Sequence, residues 1–251
     1  MYQQQNSFLS NIPPVVKNLL IINILVYLVM ALMPAADRWF TAHLSLYYFT
    51  SPAFQPFQLF TYMFLHGGFG HLFFNMFALF MFGRTIEYTM GSKRFLLYYI
   101  SCSIGAALVQ MGVFAIYIHN LSSILPPDVC SEAIENGWQL LQNHYNYSDP
   151  DLARLNAFVN TPMVGASGAI YGVLLAFGFL YPNMPVYLFF IPFPIKSKWL
   201  VIGYFVLELF YGVSGSADGV AHFAHIGGMI FGFLMLRYWK KKGVFSNHWF
   251  F

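Results

Sequence analysis

Long apolar segments limit the folds open to this chain more than any other feature. Six apolar runs, numbered in chain order, are Val15–Met33, Leu59–Phe82, Phe95–Ile118, Pro162–Tyr181, Trp199–Val213 and Val220–Trp239. Most reach the ~20 residues that a helix needs to span a bilayer, and backbone groups in lipid must be satisfied within the segment. Only 8% of the residues are charged, against about 25% in a soluble domain. The sequence therefore predicts an all-α, polytopic membrane protein with six transmembrane helices.

Basic residues indicate the side of the membrane on which each connection lies. Ten of the twelve lysines and arginines adjoin the start of run one, the connection between runs two and three, the start of run five, or the end of run six. The other two are Arg38 and Arg154, whose loops share the opposite side with seven of the nine acids, Asp218 among them. Because positive charge is retained in the cytoplasm, we expect both termini to be cytoplasmic. Twelve scattered basic residues do not indicate a nucleic-acid surface.

This topology divides the chain into three parts. Residues 1–14 form a predicted cytoplasmic leader without a cleavable signal pattern, residues 15–239 the membrane domain, and residues 240–251 a cytoplasmic tail. The connection His119–Thr161 is an external insert that holds five acids, and its stretch Asp128–Asn143 predicts a short helix. Pro182–Pro194 is apolar but interrupted by four prolines, so we expect it not to span. Cys102 and Cys130 are not expected to form a disulfide.

Polar side chains within the predicted spans are costly and therefore informative. They are His66, His71 and Asn75 in run two, Ser167 in run four, Glu208 in run five, and His222 and His225 in run six. Counted from the cytoplasmic ends at 1.5 Å per residue, His71, Ser167 and His225 each lie roughly 18–22 Å above the inner boundary. In a hydrocarbon core of ~30 Å, this places all three about 10 Å below the outer surface.

Small residues indicate which helices approach one another. Gly168, Gly172 and Ala176 in run four, and Ala224, Gly228 and Gly232 in run six, recur every four residues. Such stripes allow two helix backbones to pack closely. Ser167 precedes the first stripe, and His225 follows the first residue of the second. If the stripes face each other, the serine hydroxyl and the imidazole come within hydrogen-bond reach, which is the arrangement of a nucleophile and its base.

Further side chains suit an oxyanion site. His71 and Asn75 are four residues apart and share one face of run two. Together with the Ser167 backbone N–H, they offer donors to a developing oxyanion. Glu208 lies ten residues above Lys198, at roughly mid-membrane. We therefore expect no third, orienting carboxylate beside His225, and a Ser–His dyad.

Each feature alone has a structural explanation. A serine in a transmembrane helix commonly serves helix packing, and Gly-x-Ser-Gly without a strand–turn–helix context is a weak signal. An isolated intramembrane histidine is as often structural as functional. The combination of one serine, two histidines and one asparagine at one depth favours a functional site.

Three motifs, in order and within a six-span frame, resemble the rhomboid family of intramembrane serine proteases, in particular its bacterial six-span type. Run two contains His66-Gly-Gly-Phe-Gly-His71-Leu-Phe-Phe-Asn75, run four Gly165-Ala-Ser167-Gly168, and run six Ala224-His225-Ile-Gly-Gly228-Met-Ile-Phe-Gly232. The resemblance covers about Val15 to Tyr238. Two departures are Phe57-Gln58, where many members carry Trp-Arg, and the enlarged insert. The first leaves the anchoring of the first external loop open.

The resemblance implies a role for each matching residue. Ser167 would be the nucleophile and His225 the general base, with His71, Asn75 and the Ser167 N–H forming the oxyanion hole. Tyr171 matches a tyrosine that packs on the catalytic histidine. Gly165, Gly168 and Gly228 match structural glycines, and His66 matches a histidine in the outer part of the same helix as His71. Glu208 receives no role.

The resulting expectation is a serine endopeptidase that cleaves transmembrane segments of single-span proteins in the bilayer of the cell (inner or plasma) membrane. It would use no metal or other cofactor, and its oligomeric state is left open. Three alternatives stay open: a catalytically silent rhomboid-like factor that binds membrane proteins, a proton- or ion-coupled transporter, and a zinc hydrolase using His66, His71, His222 and His225. The zinc alternative is weak because His66 and His71 are five apart and do not share a helix face.

Overall fold

The computed structural model describes residues 11–187, 192–215 and 220–245, and within those ranges the chain is mostly helical. The helices are α1 Pro14–Leu32, α2 Pro34–Leu44, α3 Gln58–Thr61, α4 Phe69–Ala78, α5 Arg84–Met90, α6 Ser92–Ser122, α7 Pro127–Gln142, α8 Pro150–Asn160, α9 Ser167–Leu180, α10 Ser197–Ser214 and α11 His222–Lys241. A 3₁₀ turn covers Tyr62–Phe64, and a π-helical segment, Leu79–Gly83, joins α4 to α5. Asp218 and the outer parts of the predicted leader (1–10) and tail (246–251) lie outside the described residues.

Each of the six apolar runs contains a helix. Three helical segments in the described ranges are long and apolar enough to span a membrane: Pro14–Leu32, the joined segment Phe69–Met90, and Ser92–Ser122. Ser167–Leu180 is apolar but has only 14 residues. The chain therefore has the helices of a multi-pass membrane protein, while the count of six spans and the cytoplasmic termini stay predictions.

Run two departs from the single helix that its composition suggests. Leu65–Gly68 forms a break, and α4 begins only at Phe69. Gly67 and Gly68 have low helix propensity, which favours a break there over a continuous helix. The prediction that His66 lies in the same helix as His71 is wrong, because His66 precedes that helix.

The core of the bundle is a trio of helices, α6, α9 and α11, that approach one another through small residues. The predicted stripes do face each other: a Cβ on Gly228 would lie 1.9 Å from the Gly168 carbonyl oxygen, and one on Gly172 would lie 3.2 Å from the Gly228 carbonyl oxygen. On the other side of α11, a Cβ on Gly227 would lie 3.1 Å from the Gly105 carbonyl oxygen of α6. Backbone-to-backbone contact fixes the relative height of these helices.

A buried carboxylate anchors α1 to the start of α6. Glu87 is 1% exposed, and its oxygens accept hydrogen bonds from the backbone N–H groups of Val15 (3.0 Å) and Val16 (2.7 Å). The Ser92 hydroxyl donates to the same carboxylate at 2.7 Å. The first N–H groups of a helix lack intrahelical partners and carry partial positive charge, so an acid is the suitable cap there.

The external insert forms a helical hairpin with its own small core. Helix α7 matches the prediction for Asp128–Asn143 to within one residue at each end, whereas α8 was not predicted. Asn160 at the end of α8 donates to the carbonyls of Ala133 (3.1 Å) and Ile134 (3.3 Å) and accepts from the Ser51 hydroxyl at 2.7 Å. The first two bonds join α8 to α7 within the insert, and the third fastens the insert to the loop that follows α2. Cys102 and Cys130 are both free, as expected.

The buried side chain of Gln58 anchors the segment between α2 and α3, whose anchoring the departure at Phe57-Gln58 had left open. The Gln58 side chain is fully buried and donates to the carbonyls of His43 (3.1 Å) and Ala53 (2.9 Å). Phe57, in contrast, is 51% exposed. Further along the chain, Pro185–Val186 and Ile195–Lys196 form a two-stranded antiparallel pair within the proline-interrupted stretch and just beyond it.

Candidate active site

The segment before α9 places Ser167 at the first position of that helix. Met163 exchanges two backbone hydrogen bonds of 2.9 Å with Leu46, and the Gly165 N–H donates to the Tyr62 carbonyl at 3.0 Å. Gly165 has φ +129°, a conformation that L side chains rarely adopt, and a Cβ there would lie 2.7 Å from the His71 ring. The glycine is therefore required both by the backbone and by the neighbouring imidazole. The predicted run Pro162–Tyr181 is accordingly helical only from Ser167.

Ser167 and His225 are in contact. The Ser167 Oγ lies 2.9 Å from His225 Nε2, so the hydroxyl donates to this nitrogen when the nitrogen carries no proton. His225 is the fourth residue of α11, and the glycine contact between α9 and α11 holds the two helix ends side by side. The 2.9 Å separation lies within the hydrogen-bond reach that was expected if the two stripes faced each other.

Tyr171 holds the histidine ring from one face. The two rings are stacked at a centroid distance of 4.1 Å with only 7° between their planes. Tyr171 lies one helical turn after Ser167, so α9 supplies both the hydroxyl and the stacking surface. The packing contact implied by the family resemblance is present.

His71, Asn75, Ser167, Tyr171 and His225 line one cavity of about 700 Å³. Among the described residues, the buried Asn75 Nδ2 has no hydrogen-bond partner. The Ser167 N–H, at the first position of a helix, likewise has no backbone partner there. Free donors of this kind are available to a negatively charged oxygen.

His66 does not reach this cavity. It is 2% exposed and packs edge-on against the His71 ring at a centroid distance of 5.1 Å. Neither of its ring nitrogens has a hydrogen-bond partner among the described residues. The edge-on packing of the His66 ring therefore limits the orientation of the His71 ring.

The expectation that no carboxylate lies near His225 is wrong. The Glu208 Oε2 is 3.0 Å from His225 Nδ1 and 2.6 Å from His222 Nδ1, and the Tyr171 hydroxyl donates to Oε1. The residue counts already placed Glu208 and His225 within about 3–5 Å in height, a gap that a glutamate side chain spans. The difference in depth between Glu208 and His225 was too small to keep the two side chains apart.

Gln110 is a further residue that the sequence reasoning missed. It lines the cavity, and its Oε1 accepts a hydrogen bond from the Ala224 N–H at 3.0 Å, next to His225. A glutamine within apolar run three was the signal, because amides are as costly in lipid as the polar residues that were considered.

Three buried side chains, Glu208, His222 and His225, carry atoms of the kind that bind metal ions. One nitrogen or oxygen from each of Glu208, His222 and His225 lies within 4.8 Å of the others, whereas His66 and His71 are outside this group. Tetrahedral zinc with bonds of 2.0–2.1 Å separates its donors by about 3.4 Å. The 2.6 Å contact between Glu208 and His222 is a hydrogen-bond distance and too short for an intervening ion.

These features define a class: a helical, multi-pass membrane protein in which serine, histidine and asparagine side chains meet in a cavity among apolar helices. A family model of the Rhomboid domain matches residues 53–127 and 128–242, so the chain belongs to the rhomboid family.

Named relatives agree with this assignment. The chain is 31% identical over 176 residues to "Rhomboid protease AarA" of Providencia stuartii, an alignment covering 69% of this chain and 52% of the relative. It is 29% identical over 181 residues to "Rhomboid protein 1, mitochondrial" of Saccharomyces cerevisiae, covering 71% and 40%. It is 29% identical over 175 residues to "RHOMBOID-like protein 12, mitochondrial" of Arabidopsis thaliana, covering 68% and 42%. The chain thus spans about half or less of these relatives.

Proposed function

We propose that this chain is an intramembrane serine endopeptidase that cleaves transmembrane segments of single-span membrane proteins. The observation that carries the proposal is the 2.9 Å contact between Ser167 Oγ and His225 Nε2 at the wall of a cavity with free donors. A relative that is 31% identical is named a protease, which supports the same reaction class. In this proposal the protein crosses the cell membrane six times, with cytoplasmic termini.

The first half of the reaction forms an acyl-enzyme. Ser167 Oγ attacks the scissile carbonyl carbon while its proton moves to His225 Nε2. The carbonyl oxygen becomes an oxyanion, and Asn75 Nδ2, the Ser167 N–H and the His71 ring are the groups available to stabilise it. His225 then protonates the leaving amine, the C–N bond breaks, and the acyl group remains on Ser167.

The second half releases the product. Water attacks the ester, gives its proton to His225 Nε2, and the carboxylic acid leaves as Ser167 recovers its hydrogen. A helical substrate hides its carbonyls in hydrogen bonds, so it must unwind where glycine, proline or other helix-breaking residues weaken the helix. This limits the expected substrates to segments with such residues near the level of the cavity.

Cleavage of a single-span reporter in proteoliposomes tests the proposal. Wild type should cleave, and Ser167→Ala and His225→Ala should each lower the rate by at least about 10³-fold. Ser131→Ala is the matched control, because this exposed serine of α7 donates to the Pro127 carbonyl of its own helix, and it should keep the wild-type rate. Cleavage that survives Ser167→Ala would refute the serine mechanism. Absence of cleavage by the wild type, together with absence of serine labelling, would favour the binding-factor alternative.

A further inference from the structure

Glu208 stands out on a helix whose surroundings are apolar. It is 7% exposed, whereas its neighbours Leu207 and Leu209 are 50% and 43% exposed. The buried residues of α10 are Ser197, Leu200, Val201 and Glu208, so the carboxylate lies at the upper end of the face that packs on the bundle. A carboxylate among apolar helices is costly unless it is paired, and such a residue is functional by default.

Within the described residues, the hydrogen bonds and close polar contacts of this carboxylate go to side chains in and beside the candidate active site. The Tyr171 hydroxyl donates to Oε1, and the same tyrosine ring stacks on His225. His222 Nδ1 lies 2.6 Å from Oε2 and fixes the other oxygen. With both oxygens held, Oε2 is positioned 3.0 Å from His225 Nδ1, on the side of the ring opposite to Ser167.

We propose that Glu208 is the positioning residue for His225 and is the third member of a Ser167–His225–Glu208 arrangement. The inference rests on the proposed function and adds the third member that the sequence did not reveal. The negative charge 3.0 Å from Nδ1 favours the form of neutral His225 that carries its proton on Nδ1, which leaves Nε2 free to accept the Ser167 proton. When that proton arrives, the imidazolium is stabilised by the adjacent negative charge, and Glu208 itself stays ionised.

The approach of His225 Nδ1 to Oε2 is close but not aligned as a hydrogen bond in the described structure. His222 holds the same oxygen and competes for it. The contribution of Glu208 is therefore mainly the stabilisation of the charged ring, and we expect it to be smaller than the roughly 10⁴-fold effect of an aligned triad acid.

The test compares Glu208→Gln, Glu208→Asp and Glu87→Gln in the full chain in proteoliposomes. Glu208→Gln should lower kcat about 10²-fold with KM within about 2-fold, and should slow labelling of Ser167 by a fluorophosphonate by a similar factor. Glu208→Asp, which keeps the charge, should recover at least about a tenth of the wild-type kcat. Glu87→Gln removes a second buried carboxylate of the described residues, which lies outside the cavity, and should keep kcat per folded molecule.

Three results would overturn the inference. The first is kcat of Glu208→Gln within about 2-fold of wild type. The second is a loss of activity that follows the loss of folded protein equally in Glu208→Gln and Glu87→Gln. The third is inactivation of wild type by a chelator with recovery on adding Zn²⁺, which would make the cluster a metal site. In each case wild type still cleaves, whereas a wild type that neither cleaves nor labels would refute the proposed function as well.

Discussion

Replacing Gly228 by alanine should push α9 and α11 apart. Because Ser167 lies on α9 and His225 on α11, the serine should then move away from its base. Gly228 of α11 faces the Gly168 carbonyl of α9, and a Cβ added there would lie 1.9 Å from the oxygen and 2.7 Å from the carbonyl carbon. Ordinary contact begins at 3.4 Å, so the backbones must move apart by about 1.5 Å. No side chain can yield instead, because both neighbouring atoms belong to the backbone.

The displacement is large compared with the tolerance of the site. A 2.9 Å contact between Ser167 and His225 that lengthens by about 1.5 Å is no longer a hydrogen bond. Misplacement of reacting groups by 1 Å costs about 10²-fold in rate, and overpacking of a core costs about 1–3 kcal/mol of stability. We therefore expect Gly228→Ala to lower kcat at least about 10²-fold and to lower the free energy of unfolding by about 2 kcal/mol.

The assay is reporter cleavage in proteoliposomes, normalised to folded protein, together with equilibrium denaturation in mixed micelles. Gly112→Ala is the matched control, because this α6 glycine has no atom within 4 Å of an added Cβ. It should keep full activity and gain slightly in stability through higher helix propensity. Unchanged kcat in Gly228→Ala would show that the spacing of α9 and α11 does not set the serine–histidine contact, and would refute the reasoning.

Three further changes test separate parts of the account. Asn75→Ala removes an unpartnered donor in the cavity and should lower kcat about 10²-fold with little change in KM; an unchanged kcat would exclude it as an oxyanion donor. Glu87→Gln weakens charge-assisted hydrogen bonds to the start of α1 and should lower the free energy of unfolding by about 2 kcal/mol in micelle denaturation; a stability equal to wild type would contradict the capping role. Asn160→Ala breaks the link of the insert to Ser51 and should speed limited proteolysis of α7 and α8, while equal protection would mean that other contacts hold the insert.

The meeting of Ser167 and His225 was predictable because it follows from local patterns. Two small-residue stripes of equal period define the facing surfaces of two helices, and each functional side chain adjoins its stripe. Once the backbones touch, as they do at Gly168 and Gly228, the side chains next to them have little freedom of position. The stacking of Tyr171 on His225 was expected on different grounds, from the family resemblance and not from the stripes.

Glu208 was not predictable by the same means. It lies on α10, which carries no small-residue stripe to define its neighbour. A residue count gives the depth of a side chain along the helix axis but not the direction in which it points around that axis. The contact depends on the rotation of α10, on the length of a glutamate side chain and on two partners from other helices, Tyr171 and His222. The meeting of these side chains from three helices is determined by how the whole bundle packs.

The remaining differences between the predicted and the observed helices arise mostly where glycines interrupt an apolar run. The break at Gly67-Gly68 and the late start of α9 after Gly165 both follow from glycines within apolar runs that hydropathy alone treats as continuous helices. Helix α8 was missed because the insert is polar on average. Its hydropathy does not reveal the small apolar face that α8 buries against α7.

Covalent trapping of the nucleophile tests the central claim most directly. Wild-type protein in lipid would be treated with a fluorophosphonate, and the site of modification located by intact mass and peptide mapping, beside His225→Ala. The account predicts a single adduct on Ser167 in the wild type and almost none in His225→Ala, because the imidazole must accept the serine proton. An adduct on another residue, or equal labelling of Ser167 without His225, would contradict it.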